Sequence, residues 1–134
     1  HNNNDSISHY LEKMVRYAKY EAQSIDDEKN TVTLAETIKK SLHEYISRFF
    51  LHDGYKNGMH GFVLAFLQMF YYFLVYFFYW ENHKYRYADD NKAYAYAEQF
   101  FRKGLFEINY WMAKKNISNI QKKIKSKITN ILLK

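Results

Sequence analysis

Apolar residues recur at helical spacing along most of this chain. Ile7, Leu11, Met14, Val15, Ala18 and Ala22 fall three or four positions apart, on one stripe of an amphipathic helix over residues 6–25. Asp5, Ser6 or Ser8 can cap its start, since a short side-chain oxygen there accepts from an unpaired backbone N–H. Asp26-Asp27-Glu28-Lys29-Asn30 breaks the period and reads as a loop. A second helix is predicted from about Thr33 to Leu51, burying Leu34, Ile38, Leu42, Tyr45, Ile46 and Phe49. The following His52-Asp53-Gly54-Tyr55-Lys56-Asn57-Gly58 has two glycines four apart beside Asp and Asn, and marks a turn.

Gly61 to Trp80 (GFVLAFLQMFYYFLVYFFYW) then runs 20 residues without a formal charge, 11 of them aromatic. A helix of that length is about 30 Å long, enough to cross a hydrocarbon core. Tyr71, Tyr72, Tyr76 and Tyr79 speak against free exposure at mid-bilayer, because each hydroxyl there would need a partner. Three placements are open, in this order: a partly embedded or surface-lying hairpin, a helix buried in a soluble core, and a single span.

Residues 82–91 are polar, with Asp89-Asp90 suggesting a loop and a cap. The helical pattern returns over residues 92–112 through Ala93, Ala97, Phe100, Phe101, Leu105, Ile108 and Trp111, and Gly104 is a candidate break within it. Ile117, Ile120, Ile124, Ile128 and Ile131 form a last apolar row with Lys122, Lys123, Lys125 and Lys127 on the other sides. A basic amphipathic helix of this kind lies on anionic membrane surfaces, or packs its isoleucines on the body. The expectation is all-α: four to five helices in a single helical region over residues 1–134, including one long uncharged aromatic helix and a basic amphipathic C-terminal helix.

Composition sharpens this. With no Pro, no Cys and 4 Gly in 134 residues, disulfide frameworks, zinc ribbons and thiol nucleophiles are excluded, and a turn-rich β-sandwich is disfavoured. The net charge of +6 is uneven: residues 1–53 carry 7 Lys/Arg against 9 Asp/Glu, residues 82–134 carry 12 against 4, and no acid lies beyond Ala113. Such a tail calls for an anionic partner. A membrane surface fits better than nucleic acid, because the tail lacks the interleaved aromatics of single-strand platforms.

Chemistry-bearing motifs are missing. There is no G-x-G-x-x-G, P-loop, G-x-S-x-G, H-E-x-x-H or D-x-D. The six histidines form no i, i+4 pair on one helix, and His52 and His60 beside the glycine turn read as solvated. No residue of this chain is assigned a catalytic role.

Two stretches carry a resemblance. His1-Asn2-Asn3-Asn4-Asp5-Ser6-Ile7 leads into Tyr10-Leu11-Glu12-Lys13-Met14-Val15-Arg16-Tyr17-Ala18, and Arg48-Phe49-Phe50-Leu51-His52-Asp53-Gly54-Tyr55-Lys56-Asn57-Gly58 leads into Gly61-Phe62 and the aromatic helix ending Tyr79-Trp80-Glu81. Over residues 1–81 the chain resembles the C-terminal region of bacterial family 2 glycosyltransferases, particularly the lipopolysaccharide core glucosyltransferase group. Residues 82–134 match only as a helical, basic extension. Asn57 stands where Asp is commoner in that group, and His60 where an apolar residue or Pro is expected.

The resemblance implies a parent enzyme that moves a sugar from a nucleotide-sugar to a lipid-linked or lipopolysaccharide acceptor at the cytoplasmic face of the inner membrane. It implies a divalent metal, Mg or Mn, held by a D-x-D upstream of His1, with His1 near the metal. It implies that Arg16 and Tyr17 lie near the donor and acceptor, where a guanidinium can meet a leaving diphosphate; pairing of Arg16 with Glu12 or Glu21 is the plainer alternative. The chain then reads as a piece without its catalytic half, inactive alone. Phe62, Phe66, Phe70, Phe73, Phe77, Trp80, Lys122, Lys123, Lys125 and Lys127 are the expected membrane-binding residues. The aromatic helix is a route to a homo-oligomer, and a non-enzymatic helical module that docks a protein or membrane is the other reading.

Overall fold

The computed structural model describes residues 6–29, 32–86 and 92–133, with the backbone alone for 117–124. Among the described residues there are five α-helices and no strand: α1 (Ile7–Gln23), α2 (Leu34–Ile46), α3 (Gly58–Asn82), α4 (Ala93–Lys114) and α5 (Ile117–Leu132). Ser6 is the cap of α1, its Oγ accepting from the His9 N–H at 3.1 Å. Thr33 does the same for α2, accepting from the Glu36 N–H at 3.2 Å. The expected loop and cap at Asp89-Asp90 lie outside the described residues.

α3 is the central element. α1 and α2 pack on it, and α4 packs on α2. One core cluster joins Ile38, Leu42, Tyr45, Ile46 and Phe50 to Ala65 and Met69 of α3; the other joins Ala18 and Ala22 of α1 to Val75 and Tyr79. α5 packs on α4, the helix before it in the chain. Its described isoleucines, Ile128 and Ile131, are 51% and 71% exposed, so this part of the row is not laid on the body.

The end of α2 departs from the simple period. Ser47–Leu51 forms a π-helical turn, which takes an extra residue per turn and rotates the next residues out of register. Phe50 therefore enters the core at 1% exposure, while Phe49, the residue expected there, is half-buried and stacks on Tyr45 with centroids 5.2 Å apart.

The glycine turn is a packed crossing. Asp53 adopts a left-handed conformation (φ 58°) and starts a 3-10 turn over Gly54–Asn57 that feeds α3. A Cβ on Gly61 would collide with the Gly54 carbonyl, and one on Gly54 would lie 2.6 Å from the Arg48 carbonyl. Only glycine lets these three backbones approach so closely. α3 accordingly begins at Gly58, before the uncharged segment, and runs to Asn82.

α4 corrects one expectation. Gly104 does not interrupt it; the helix is continuous from Ala93 to Lys114. None of its residues is fully buried. Phe100, Ile108 and Trp111 pack half-buried against the α2–α3 cluster, whereas Phe101 and Leu105 are 70% and 64% exposed. The side of α4 that meets α2 is rotated away from these two residues, which line an open groove between α4 and α3.

Candidate membrane interface

The long sides of α3 differ in chemistry. On one, the Tyr71 hydroxyl donates to the Glu21 carboxylate of α1, and the Tyr79 hydroxyl donates to Asp27 Oδ1 at 2.7 Å. The Gln68 amide donates to the Tyr10 hydroxyl. Tyr72 sits beside Glu44 of α2 and Arg48 of the π turn, themselves an ion pair at 2.5 Å. The partners that these tyrosines need are thus supplied by neighbouring elements.

On the other side, Phe62, Phe66, Phe70 and Phe77 are 44%, 45%, 37% and 41% exposed, with no charge between them. Spacings of four put Phe62, Phe66 and Phe70 one above another, and Phe62 stacks on Phe66 at 6.0 Å. Of the remaining expected contacts, Phe73 turns into the core, edge-on to Phe100 at 5.7 Å. Trp80 is half-buried against Tyr85, and its indole N–H has no acceptor among the described residues. By length and composition, Gly54–Asn82 is apolar enough to cross a membrane: an 18-residue window within it has a mean hydropathy of 1.8, with 28% of that window buried. Lys125 and Lys127 are exposed on α5; Lys122 and Lys123 lie on the same helix, their side chains outside the description.

Beside the phenylalanine row lies an open apolar groove of about 340 Å³. Its floor is Leu42 and Ile46 of α2, one wall is Phe66 and Met69 of α3, and the other is Phe101 and Leu105 of α4. Near the end where α3 begins and α4 finishes, cations gather. Asp53 is bridged by Lys115 at 3.2 Å and Lys56 at 3.4 Å, and Lys115 first, then Lys56, holds its carboxyl below the usual range. Lys114 lies over the Trp111 ring at 4.8 Å and the Tyr110 ring at 5.7 Å.

At the opposite end of α3, His83 ties the helix to the α1–α2 loop. Its Nδ1–H donates to the Tyr79 carbonyl at 2.8 Å and its Nε2 meets Asp27 Oδ2 at 2.5 Å. Two acceptors call for two ring protons, so the contact favours the imidazolium. The Tyr79 carbonyl, and next Asp27, push the His83 pKa above 6.5; the His83 and then the Tyr79 hydrogen bond hold Asp27 below the ordinary carboxylate value.

Arg16 and Tyr17 are both exposed on α1. The guanidinium lies 5.5 Å from the Tyr17 ring centroid, and among the described residues it makes no ion pair with Glu12 or Glu21. Both border a shallow hollow with Tyr20, Glu21, Ser24 and Tyr71. His1 lies outside the described residues. His52 and His60 are exposed, and the described residues contain no group of three or more His, Asp or Glu placed to hold a metal ion.

Sequence reasoning missed the groove, the Asp27–Tyr79–His83 contact and the Asp53–Lys115 bridge. A signal for the groove was present: α4 carries two adjacent apolar stripes, more than one packing face can cover, so part of it had to stand open. The two polar contacts link residues 56 and 62 positions apart and leave no local signature. No family model matches this chain, and no curated protein or solved structure matches it either.

Proposed function

We propose that this chain is the helical, membrane-associating C-terminal part of a family 2 glycosyltransferase, which moves a sugar from a nucleotide-sugar to a lipid-linked or lipopolysaccharide acceptor. The observation that carries the membrane half of this reading is the uncharged row Phe62, Phe66, Phe70 and Phe77, 37–45% exposed along one side of a helix whose other side is satisfied by protein. An apolar row of this kind gains by lying at the acyl boundary of a bilayer, and the acid-free tail adds attraction to an anionic cytoplasmic surface. The glycosyltransferase half rests on the sequence resemblance of residues 1–81.

In this reading α1 turns its exposed Arg16–Tyr17 face towards the catalytic domain. The guanidinium is free of carboxylate partners among the described residues, and so is available to hydrogen-bond a diphosphate as negative charge builds on it. In this reading a divalent metal belongs to the catalytic domain.

Co-sedimentation with phosphatidylglycerol vesicles tests the membrane half. Wild type should pellet, and a variant with Phe62, Phe66, Phe70 and Phe77 changed to Ser should stay in solution with its helical circular dichroism intact. Equal recovery of the two contradicts the reading. The same row would serve equally to join two copies, and sedimentation velocity without lipid separates that case: a dimer lost in the same variant favours self-association.

A further inference from the structure

The groove between α3 and α4 is a recess, and a flat bilayer does not fill a recess. If the phenylalanine row lies in the acyl boundary, the rims formed by Phe66 and by Phe101 and Leu105 are covered. The floor over Leu42 would then face a void, whose lining forfeits its dispersion contacts. Water filling is also unfavourable, because the lining side chains offer it almost no polar partners. An unbranched, flexible hydrocarbon is the shape that fits.

Charge selects what the hydrocarbon is attached to. The groove leads towards the cationic end where Lys56, Lys114 and Lys115 gather and the seven lysines after Ala113 begin. One carboxylate, Asp53, is shared by two of the three, and Lys114 contacts only rings among the described residues. An anionic headgroup at that end would therefore meet unneutralised charge.

We propose that this groove takes up one acyl chain of an anionic bilayer phospholipid, with its headgroup held beside Lys114 and Lys56. The inference rests on the membrane reading above and adds to it a specific, single-lipid seat. Gly104 is the residue that keeps the seat open: a Cβ there would stand 3.5 Å from the Leu42 side chain, in ordinary contact, and anything longer would project into the groove.

Trp111 reports on the seat, as it lies one turn beyond Ile108 at the cationic end. In a Trp80→Phe background it is the sole tryptophan. The probe is a vesicle of phosphatidylglycerol brominated near the top of its acyl chains, which quenches indoles in contact with them. The parent should bind and be quenched. Gly104→Leu should still co-sediment but lose at least half of the quenching, and Gly104→Ala, which adds one methyl, should behave as the parent. Leu105→Phe, on the exposed wall, repeats the filling test should Gly104→Leu fail to fold. Equal quenching of parent and filled variants, with binding intact, overturns the lipid seat and leaves the membrane reading standing. Failure of the parent to bind vesicles overturns both. A concentration-dependent dimer abolished by Gly104→Leu assigns the groove to a second copy and overturns the proposal as well.

Discussion

Along one side of α3, Tyr71 and Tyr79 give their hydroxyls to Glu21 and Asp27; along the other, Phe62, Phe66, Phe70 and Phe77 remain 37–45% exposed. Both sides are aromatic, and hydropathy alone does not separate them. The difference lies in whether a neighbouring element supplies a polar partner or only other rings. α1 and the α1–α2 loop bring carboxylates to the tyrosines, and a ring with a polar tip serves that role. The phenylalanines are met by rings instead, Phe62 standing edge-on to Tyr45 and to Phe49 at 6.4 Å, and an open groove lies between Phe62 and Phe66 and the Phe101 and Leu105 of α4. A helix that is apolar all round is thus half core and half open surface.

The largest effect that sharpens this contrast is in stability. Phe50, at 1% exposure, should lose about 3–5 kcal/mol on truncation to Ala, read as a fall in thermal or urea midpoint. Phe66→Ala should cost under about 1 kcal/mol in the same assay, because its ring is 45% exposed. Similar losses from the two would mean that the open row is as tightly held as the core.

Next comes membrane affinity. Full burial of a Phe is worth about 1.5–3 kcal/mol, so the exposed fractions of four give roughly 3 kcal/mol, or about 100-fold in partitioning. Exchanging all four for Ser should weaken vesicle binding by that order, whereas Tyr17→Ser and Tyr20→Ser on α1 should change it less than about threefold. A comparable loss from the α1 pair would erase the distinction between the sides.

The pH dependence of the tyrosine side has a defined sign. The His83 pKa is raised, so its contribution is complete below about 6.5 and is lost as pH rises through the folded value; Asp27 is lowered, so its contribution holds above its ordinary value and is lost as pH falls through the folded one. The thermal midpoint should therefore decline on the alkaline side of pH 6.5, and His83→Gln should flatten that decline. A midpoint that falls equally in the variant would remove His83 as the cause. The smallest effect is Lys115→Ala, expected to lower the midpoint slightly at low salt and not at all in about 1 M salt, because the Lys115–Asp53 bridge is partly exposed and screened.

Much of the fold was legible from periodicity. The five helices, the Ser6 and Thr33 starts, and the buried residues Met14, Ala18, Ile38 and Leu42 all follow from apolar spacing and short polar caps. The π turn that exchanges Phe49 for Phe50 was not, since a one-residue phase slip is set by the glycine crossing at Gly54 and Gly61 rather than by the stripe itself. The two apolar stripes of α4 signalled that part of it stands open, but that the open part is Phe101 and Leu105 depends on how far apart two helices stand on a third. For the candidate interface, Phe62, Phe66, Phe70 and Phe77 were legible as an uncharged row. Which side of α3 they occupied relative to α1 and α2 was a matter of packing.

The absence of cysteine makes the central claim directly measurable. An environment-sensitive dye on Phe66→Cys and, separately, on Tyr17→Cys reports the two sides of the molecule on phosphatidylglycerol vesicles. The label at 66 should shift to the blue while the label at 17 keeps an aqueous spectrum; an aqueous spectrum at 66, or equal shifts at both positions, would rule out membrane contact through the phenylalanine row.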